Sequence, residues 1–251
     1  MKVVEMTETV RAAKPMLPPL TGVAPIAPTP FTDAFDVDLD GQRRVIDCMV
    51  DQGVDAICIL ANYSEQFSLT DYERREILEV CLDQVAGRVP VIVTVSHFST
   101  RIAAARARDA AASGASMLML MPPYHGATLR ADEAQVTEHF VAVADASGLP
   151  IMVQDAPISG TALSVAFLLR LGAMVPLVRA FKVEVAGAAN KLRALVEAGG
   201  SSVVEPFDGE ESITLMADLD AGATGTMPSA MIPDLIRPIV DAYLSGDRGT
   251  A

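Results

Sequence analysis

The sequence has no tryptophan, three cysteines, three histidines and, among its 19 basic residues, only four lysines. Each shortage excludes something. Three cysteines cannot all pair, and Cys48, Cys58 and Cys81 lack the spacing of a metal site, so neither a disulfide framework nor a zinc site is expected. Their apolar surroundings read as reduced, buried thiols, which fits a reducing cytoplasm. His97, His125 and His139 form no close ligand motif, and no metal is expected. There is no basic run. The 19 Lys and Arg stand against 32 Asp and Glu, a formal charge of −13, which argues against nucleic acid or an anionic membrane as partner. An anionic substrate must then be held by a local arrangement. No apolar stretch approaches the ~18 residues of a membrane span. Residues 1–20 mix Lys2, Glu5, Glu8, Arg11 and Lys14 with apolar positions and lack the apolar centre of a signal peptide. They read as an N-terminal arm ahead of one catalytic domain over residues 21–251. Nucleotide-binding glycine patterns are also missing.

What is present is alternation. Short, continuously apolar runs occur at 22–27, 56–60, 89–95, 117–121, 150–153, 178–183, 202–204 and 223–227. Continuous rather than alternating apolarity marks strands covered on both faces, as in a parallel sheet. Between and after them lie helical patterns at 39–52, 71–85, 100–113, 130–146, 164–174, 188–198, 211–221 and 233–244. Thr70, Ser99 and Ser164 read as caps, and Gly53, Gly114 and Gly199 as stops. Eight strand–helix units predict an α/β fold of the (β/α)8 TIM-barrel type, with a doubly wound sheet as the alternative.

Reactive groups of such a barrel sit where the strands end. The exits are rich in polar and aromatic groups: PTPF, ANYSEQ, SHFST, PPYHG, QDAPISG, KVEVAG, EPFDGEE and PSAMIP. Lysine usage is the sharpest signal. Lys2 and Lys14 lie in the arm and Lys191 in a helix, but Lys182 stands inside the strand pattern VRAFKVEV. A lysine buried there is costly unless paired or neutralised, and a neutral amine is a nucleophile toward a carbonyl. The plainer alternative is a side chain snorkelling from the strand end. Glu184, two residues on, shares its strand face, as a base or as a positioning partner. Tyr124, fixed by two preceding prolines, can pass protons, or it only packs. Asn62, Tyr63 and Ser64 can cradle a carboxylate. His97 and His125 are candidates for substrate hydroxyls, Gln154 and Met227 for lining the site, and His139 is a surface or packing residue.

From Gly22 to Leu244 these exits fall in the order of the dihydrodipicolinate synthase / N-acetylneuraminate lyase family, which the sequence resembles. The resemblance rests on Pro28–Phe31, the PPYHG loop, Lys182 and the DGEE…AGATG stretch. It implies a class I aldolase-type barrel in which Lys182 forms a Schiff base with a 2-oxo acid and Tyr124 is the proton-transfer phenol. It further implies that the turn from Asn62 to Glu65 receives the carboxylate. No metal or organic cofactor is then needed, and a homo-oligomer, a dimer or a tetramer built from dimers, is implied. Departures narrow the activity. Asn62 and Tyr63 replace the two threonines usual in the carboxylate turn. The stretch 154–160 lacks the arginine that the synthase uses for its aldehyde substrate. The segments ILANYSEQF, MPPYHGAT and QDAP instead resemble the family's 2-keto-3-deoxyarabonate dehydratase branch. The expected reaction is therefore dehydration of 2-keto-3-deoxy-L-arabonate to 2-oxoglutarate semialdehyde. The alternatives are a pyruvate-releasing retro-aldolase and a non-catalytic keto-acid-binding barrel. The sequence ends at Ala251 without the further C-terminal helices usual in the family, so that extension is expected to be absent.

Overall fold

The computed structural model describes residues 18–125 and 129–251, without the side chains of Tyr124, His125 and Leu129. Most of the arm expected over residues 1–20 lies outside the described residues. The barrel strands are β1 (Gly22–Val23), β2 (Ile57–Ile59), β3 (Val91–Thr94) and β4 (Met117–Leu120). After a small antiparallel hairpin of β5 (Tyr124–His125) and β6 (Leu129–Arg130) come β7 (Ile151–Asp155), β8 (Val178–Val183), β9 (Glu205–Asp208) and β10 (Gly225–Thr226). The barrel strands pair in parallel in the order β1-β10-β9-β8-β7-β4-β3-β2. Backbone bonds from Asp55 N to Val23 O (2.9 Å), Cys58 N to Pro25 O (2.9 Å) and Ala27 N to Cys58 O (2.8 Å) close β2 onto β1. The result is the expected (β/α)8 barrel.

Its helices are α1 (Leu39–Asp51), α2 (Asp71–Val85), α3 (Thr100–Ser113), α4 (Glu133–Ser147), α5 (Val165–Met174), α6 (Ala188–Gly199), α7 (Leu215–Asp220) and α8 (Pro233–Leu244). None of the described helices is long and apolar enough to cross a membrane.

Alternation along each strand divides the core in two. Ile57, Ile59, Val91, Val93, Leu118, Leu120, Ile151 and Val153 pack outward beneath the helices. Cys58, Ile92, Met117, Met119, Met152 and Ala180 fill the barrel interior with Phe207 and Met227. Lys182 is two residues beyond Ala180 on β8 and so continues the interior row at its C-terminal end.

Several expectations shift. The seventh strand lies at Glu205–Asp208 rather than at 202–204. Its acidic ends obscured it: Glu205 is buried against Arg179 (3.1 Å) and the Leu20 N–H (3.0 Å), and Asp208 against Thr226 (2.7 Å). Helix α4 begins at Glu133 instead of Arg130, because Arg130 belongs to the hairpin and Asp132 forms a capping box with Gln135. The seventh helix starts only at Leu215, after a turn in which Glu211 and Ser212 have φ of 57° and 59°. Thr70 and Ser164 cap with their side chains; Ser99 holds the N-cap position without a side-chain bond. Cys58 and Cys81 are buried, but Cys48 is exposed, because Ile46 and Met49 occupy the inward face of α1.

Candidate functional site

Lys182 is 1% exposed. Across the sheet it registers with Gln154 of β7 and with Phe207 of β9. Its Nζ donates to Glu184 Oε2 at 3.0 Å, and Gln154 Nε2 donates to the same oxygen at 2.8 Å. One carboxylate thus receives both interior donors and compensates the ammonium that burial would otherwise penalise. The exit of β9 lies directly on the lysine stem. A Cβ on Gly209 would come within 3.0 Å of Lys182 Cγ, Lys182 Cε and Glu184 Cβ, so the position has no room for a side chain. Below, the Cys58 thiol is pushed up to about 11 by burial, with the charge of Lys182 pulling the other way. It lies 3.7 Å from Thr94 Oγ1.

The sequence of β7 explains which polar groups serve this cluster. Gln154 and Asp155 are adjacent and point to opposite faces. Gln154 turns inward to Glu184. Asp155 turns outward to the Lys191 ammonium, which also donates to Leu163 O at 2.5 Å. Burial pushes the Asp155 carboxyl up, opposed by Lys191. Lys191 is therefore engaged on the helix side, apart from the interior.

Asn62, Tyr63 and Ser64 form a single 3-10 turn at the exit of β2. The Ser64 hydroxyl donates to Ala27 O at 2.6 Å and accepts from Ala61 N at 3.1 Å, while Thr29 Oγ1 donates to Ser64 O at 2.8 Å. Ser64 thus braces the turn against the first exit. Asn62 Oδ1 accepts from Gln66 Nε2 at 2.7 Å. As the first residues of the turn, Asn62 and Tyr63 carry N–H groups that find no partner inside it.

Tyr63 reaches the turn after β9, where its phenol faces the Glu211 carboxylate across a shared cleft. Burial, then that carboxylate, and more remotely Glu184, push the phenol up to about 12. Glu211 Oε1 also accepts from Ser229 N at 2.9 Å. Together with Ile26, Pro28 and Pro228 these residues line an open cleft of about 700 Å³.

The structure separates other candidates from this cluster. His97 Nδ1 accepts from Ser99 N at 2.9 Å and its ring lies 4.2 Å from that of Phe98. Burial, then Arg106, keep the imidazole below its usual pKa, with Asp71 opposing, so its charged neighbours lie on α2 and α3. Met227 is fully buried in the interior packing. His139 is buried in α4 beside Thr100 Oγ1, 2.9 Å from its Nδ1, and is a packing residue. Tyr124 is placed only by its backbone, opposite Arg130 in the hairpin; its side chain and that of His125 lie outside the described residues.

Two contacts were not read from the sequence. One is the Tyr63–Glu211–Ser229 contact. The other is a buried chain in which Thr226 Oγ1 donates to Asp208 Oδ2 at 2.7 Å and meets Ser212 Oγ at 2.8 Å. The signal for both was the acidic run after β9, which supplies more carboxylates than a strand exit needs for solvation. Among the described residues no group of three or more His, Cys, Asp or Glu is placed to hold a metal ion.

A barrel whose interior row ends in a buried lysine paired to a carboxylate is equipped as a lyase that works through an amine. Comparison with known proteins gives the family. The model of the dihydrodipicolinate synthetase family matches residues 19–251, and the chain belongs to that family and is one of its lyases. It is 55% identical over 225 residues to the L-2-keto-3-deoxyarabonate dehydratase of Azospirillum brasilense, covering 90% of this chain and 73% of that protein. It is 32% identical over 233 residues to the 4-hydroxy-tetrahydrodipicolinate synthase of Salinibacter ruber, covering 92% of this chain and 75% of that one. Among solved structures it resembles YagE of E. coli K12, a prophage protein of the dihydrodipicolinic acid synthase family in complex with pyruvate. That likeness has a TM-score of 0.85 at 25% identity, over 92% of this chain and 78% of that one.

Proposed function

We propose that this lyase dehydrates 2-keto-3-deoxy-L-arabonate to 2-oxoglutarate semialdehyde through a Schiff base on Lys182. The observation that carries the reading is the buried Lys182 Nζ, 3.0 Å from Glu184 Oε2, in a chain 55% identical to a protein that bears this activity as its name. Lys182 passes its proton to Glu184 and attacks C2. Glu184 returns that proton to the C2 oxygen, which leaves as water and gives the iminium; the iminium acidifies C3 and serves as electron sink in place of a cofactor. Glu184 takes a C3 proton. The enamine expels the C4 hydroxyl, which leaves as water with a proton from Tyr124. The turn of Asn62, Tyr63 and Ser64 receives the substrate carboxylate with its first N–H groups. Gln154 holds Glu184. In this reading residues 1–20 are an arm on a single catalytic domain, and the protein works in the cytoplasm as a homo-oligomer on a small 2-oxo acid.

Product analysis by mass tests the reading. Incubation with 2-keto-3-deoxy-L-arabonate is expected to give one five-carbon aldehyde. Pyruvate plus glycolaldehyde would establish the retro-aldolase instead, and no turnover of any keto-deoxy sugar acid would leave a binding barrel.

A further inference from the structure

This inference rests on the dehydratase reading and concerns its second half. Expulsion of the C4 hydroxyl leaves an iminium conjugated to a C3=C4 double bond, and C5 still carries its hydroxyl and two protons. To reach an aldehyde, one C5 proton must leave. Its electron pair forms C4=C5, the C3=C4 pair moves to C2–C3, and the C2=N pair returns to nitrogen. The resulting enol gains a proton at C4 and loses its hydroxyl proton. The enamine then gains a proton at C3, and hydrolysis frees the lysine. Glu184 is tied at Oε2 to the lysine nitrogen and to Gln154, on the C2–C3 side. The base for C5 has to stand further along the substrate.

We propose that Glu211 is the base that removes the C5 proton. The turn after β9 is anchored against the reacting pair, because Gly209 packs on the Lys182 stem and on Glu184 Cβ. Two residues later Glu211 and Ser212 both adopt left-handed backbone, with φ of 57° and 59°. Consecutive side-chain-bearing residues rarely take that conformation, and such strain persists only where the surroundings hold it. Here the holding contacts are explicit. Ser212 Oγ meets Thr226 Oγ1 at 2.8 Å, Thr226 is fixed to Asp208, and Ser229 N donates to Glu211 Oε1 at 2.9 Å. The strained turn presents the Glu211 carboxylate beside Tyr63 at the edge of the open cleft. Its neighbour Glu210 is not among the residues lining this cleft, and its N–H is turned back to Asp208 Oδ1 at 2.8 Å.

The test uses the whole protein with 2-keto-3-deoxy-L-arabonate dideuterated at C5, comparing wild type, Glu211→Gln, Glu211→Asp and Glu210→Gln. Wild type is expected to give the semialdehyde with one deuterium retained at C5. In Glu211→Gln, semialdehyde formation should fall ~10²–10⁴-fold, the size of a lost general base, while C3 proton exchange persists. Borohydride quenching should then trap, on Lys182, an adduct one water lighter than that of the intact substrate. Glu211→Asp keeps the carboxylate at shorter reach and should show a slower reaction with an enlarged C5 isotope effect. A borohydride adduct with pyruvate confirms that each variant is folded. The proposal is overturned if both Glu211 variants turn over at the wild-type rate. It is overturned equally if Glu211→Gln traps only the intact-substrate adduct, or if Glu210→Gln alone shows the lighter one. Wild type yielding pyruvate and glycolaldehyde would instead overturn the dehydratase reading, and this inference with it.

Discussion

Gln154 and Lys182 face each other across β7 and β8 and donate to the same oxygen of Glu184, at 2.8 and 3.0 Å. The carboxylate is thereby fixed at the amine, where it can take the proton of the lysine and then one from C3.

Glu184→Gln preserves size and hydrogen bonding but removes the base. The lysine adduct with pyruvate is expected to form, while turnover of the keto acid falls ~10²–10⁴-fold and C3 proton exchange into deuterated water falls with it. C3 exchange that survives once the Schiff base has formed would assign Glu184 to positioning alone.

Gly209→Ala places a methyl group 3.0 Å from Lys182 Cγ and Cε. The lysine stem or Glu184 must give by a few tenths of an ångström, at a site where a displacement of ~1 Å costs about 100-fold in rate. Adduct formation measured by rapid quench should slow by at least ~10-fold, with the melting temperature less affected than the rate. An unchanged adduct rate would show that the exit loop yields instead.

Thiol accessibility separates the cysteines. Cys48 is exposed, whereas Cys58 and Cys81 are buried with thiols pushed up to about 11 and about 12, chiefly by burial. A native titration with an aromatic disulfide should modify Cys48 rapidly and the other two only on unfolding. Fast native labelling of Cys58 would contradict the packed interior beneath Lys182.

Asp218 is fully buried, with Oδ2 accepting from Thr214 Oγ1 at 2.6 Å. Burial, helped by Asp208 and Glu210, pushes its carboxyl up to about 6 from 3.8. The folded chain holds a proton that the unfolded chain releases. The stability contributed is full below pH 3.8 and lost as pH rises through 6. Asp218→Asn should therefore stabilise the protein at pH 8, on the order of 1 kcal/mol or about 2–4 °C in Tm. The gain should vanish near pH 4. A gain independent of pH would exclude this titration as its cause.

The barrel was legible because its strands are buried on both faces: Ile57, Val91, Leu118 and Ile151 belong to apolar runs in which Thr94 is the one polar residue. β9 was not, since Glu205 and Asp208 are buried through Arg179 and Thr226, partners far away in sequence. Lys182 stood out because lysine is scarce and almost never placed inside a strand. Strand parity put Glu184 on its face, but the shared oxygen with Gln154 depends on the register of β7 against β8. Tyr63 and Glu211 were harder still. Their contact joins the exits of β2 and β9 across the barrel mouth and depends on two left-handed residues that no local pattern announces. His97 was drawn to the site by its position at an exit, yet its charged neighbours lie on α2 and α3.

The central claim is that Lys182 carries the chemistry, and borohydride trapping during turnover tests it most directly. The protein is quenched with borohydride in the presence of 2-keto-3-deoxy-L-arabonate, digested, and its peptides weighed. The adduct is expected on the peptide containing Lys182 and should be absent from Lys182→Ala. An adduct on Lys191, or turnover of the keto acid by Lys182→Ala, would contradict it.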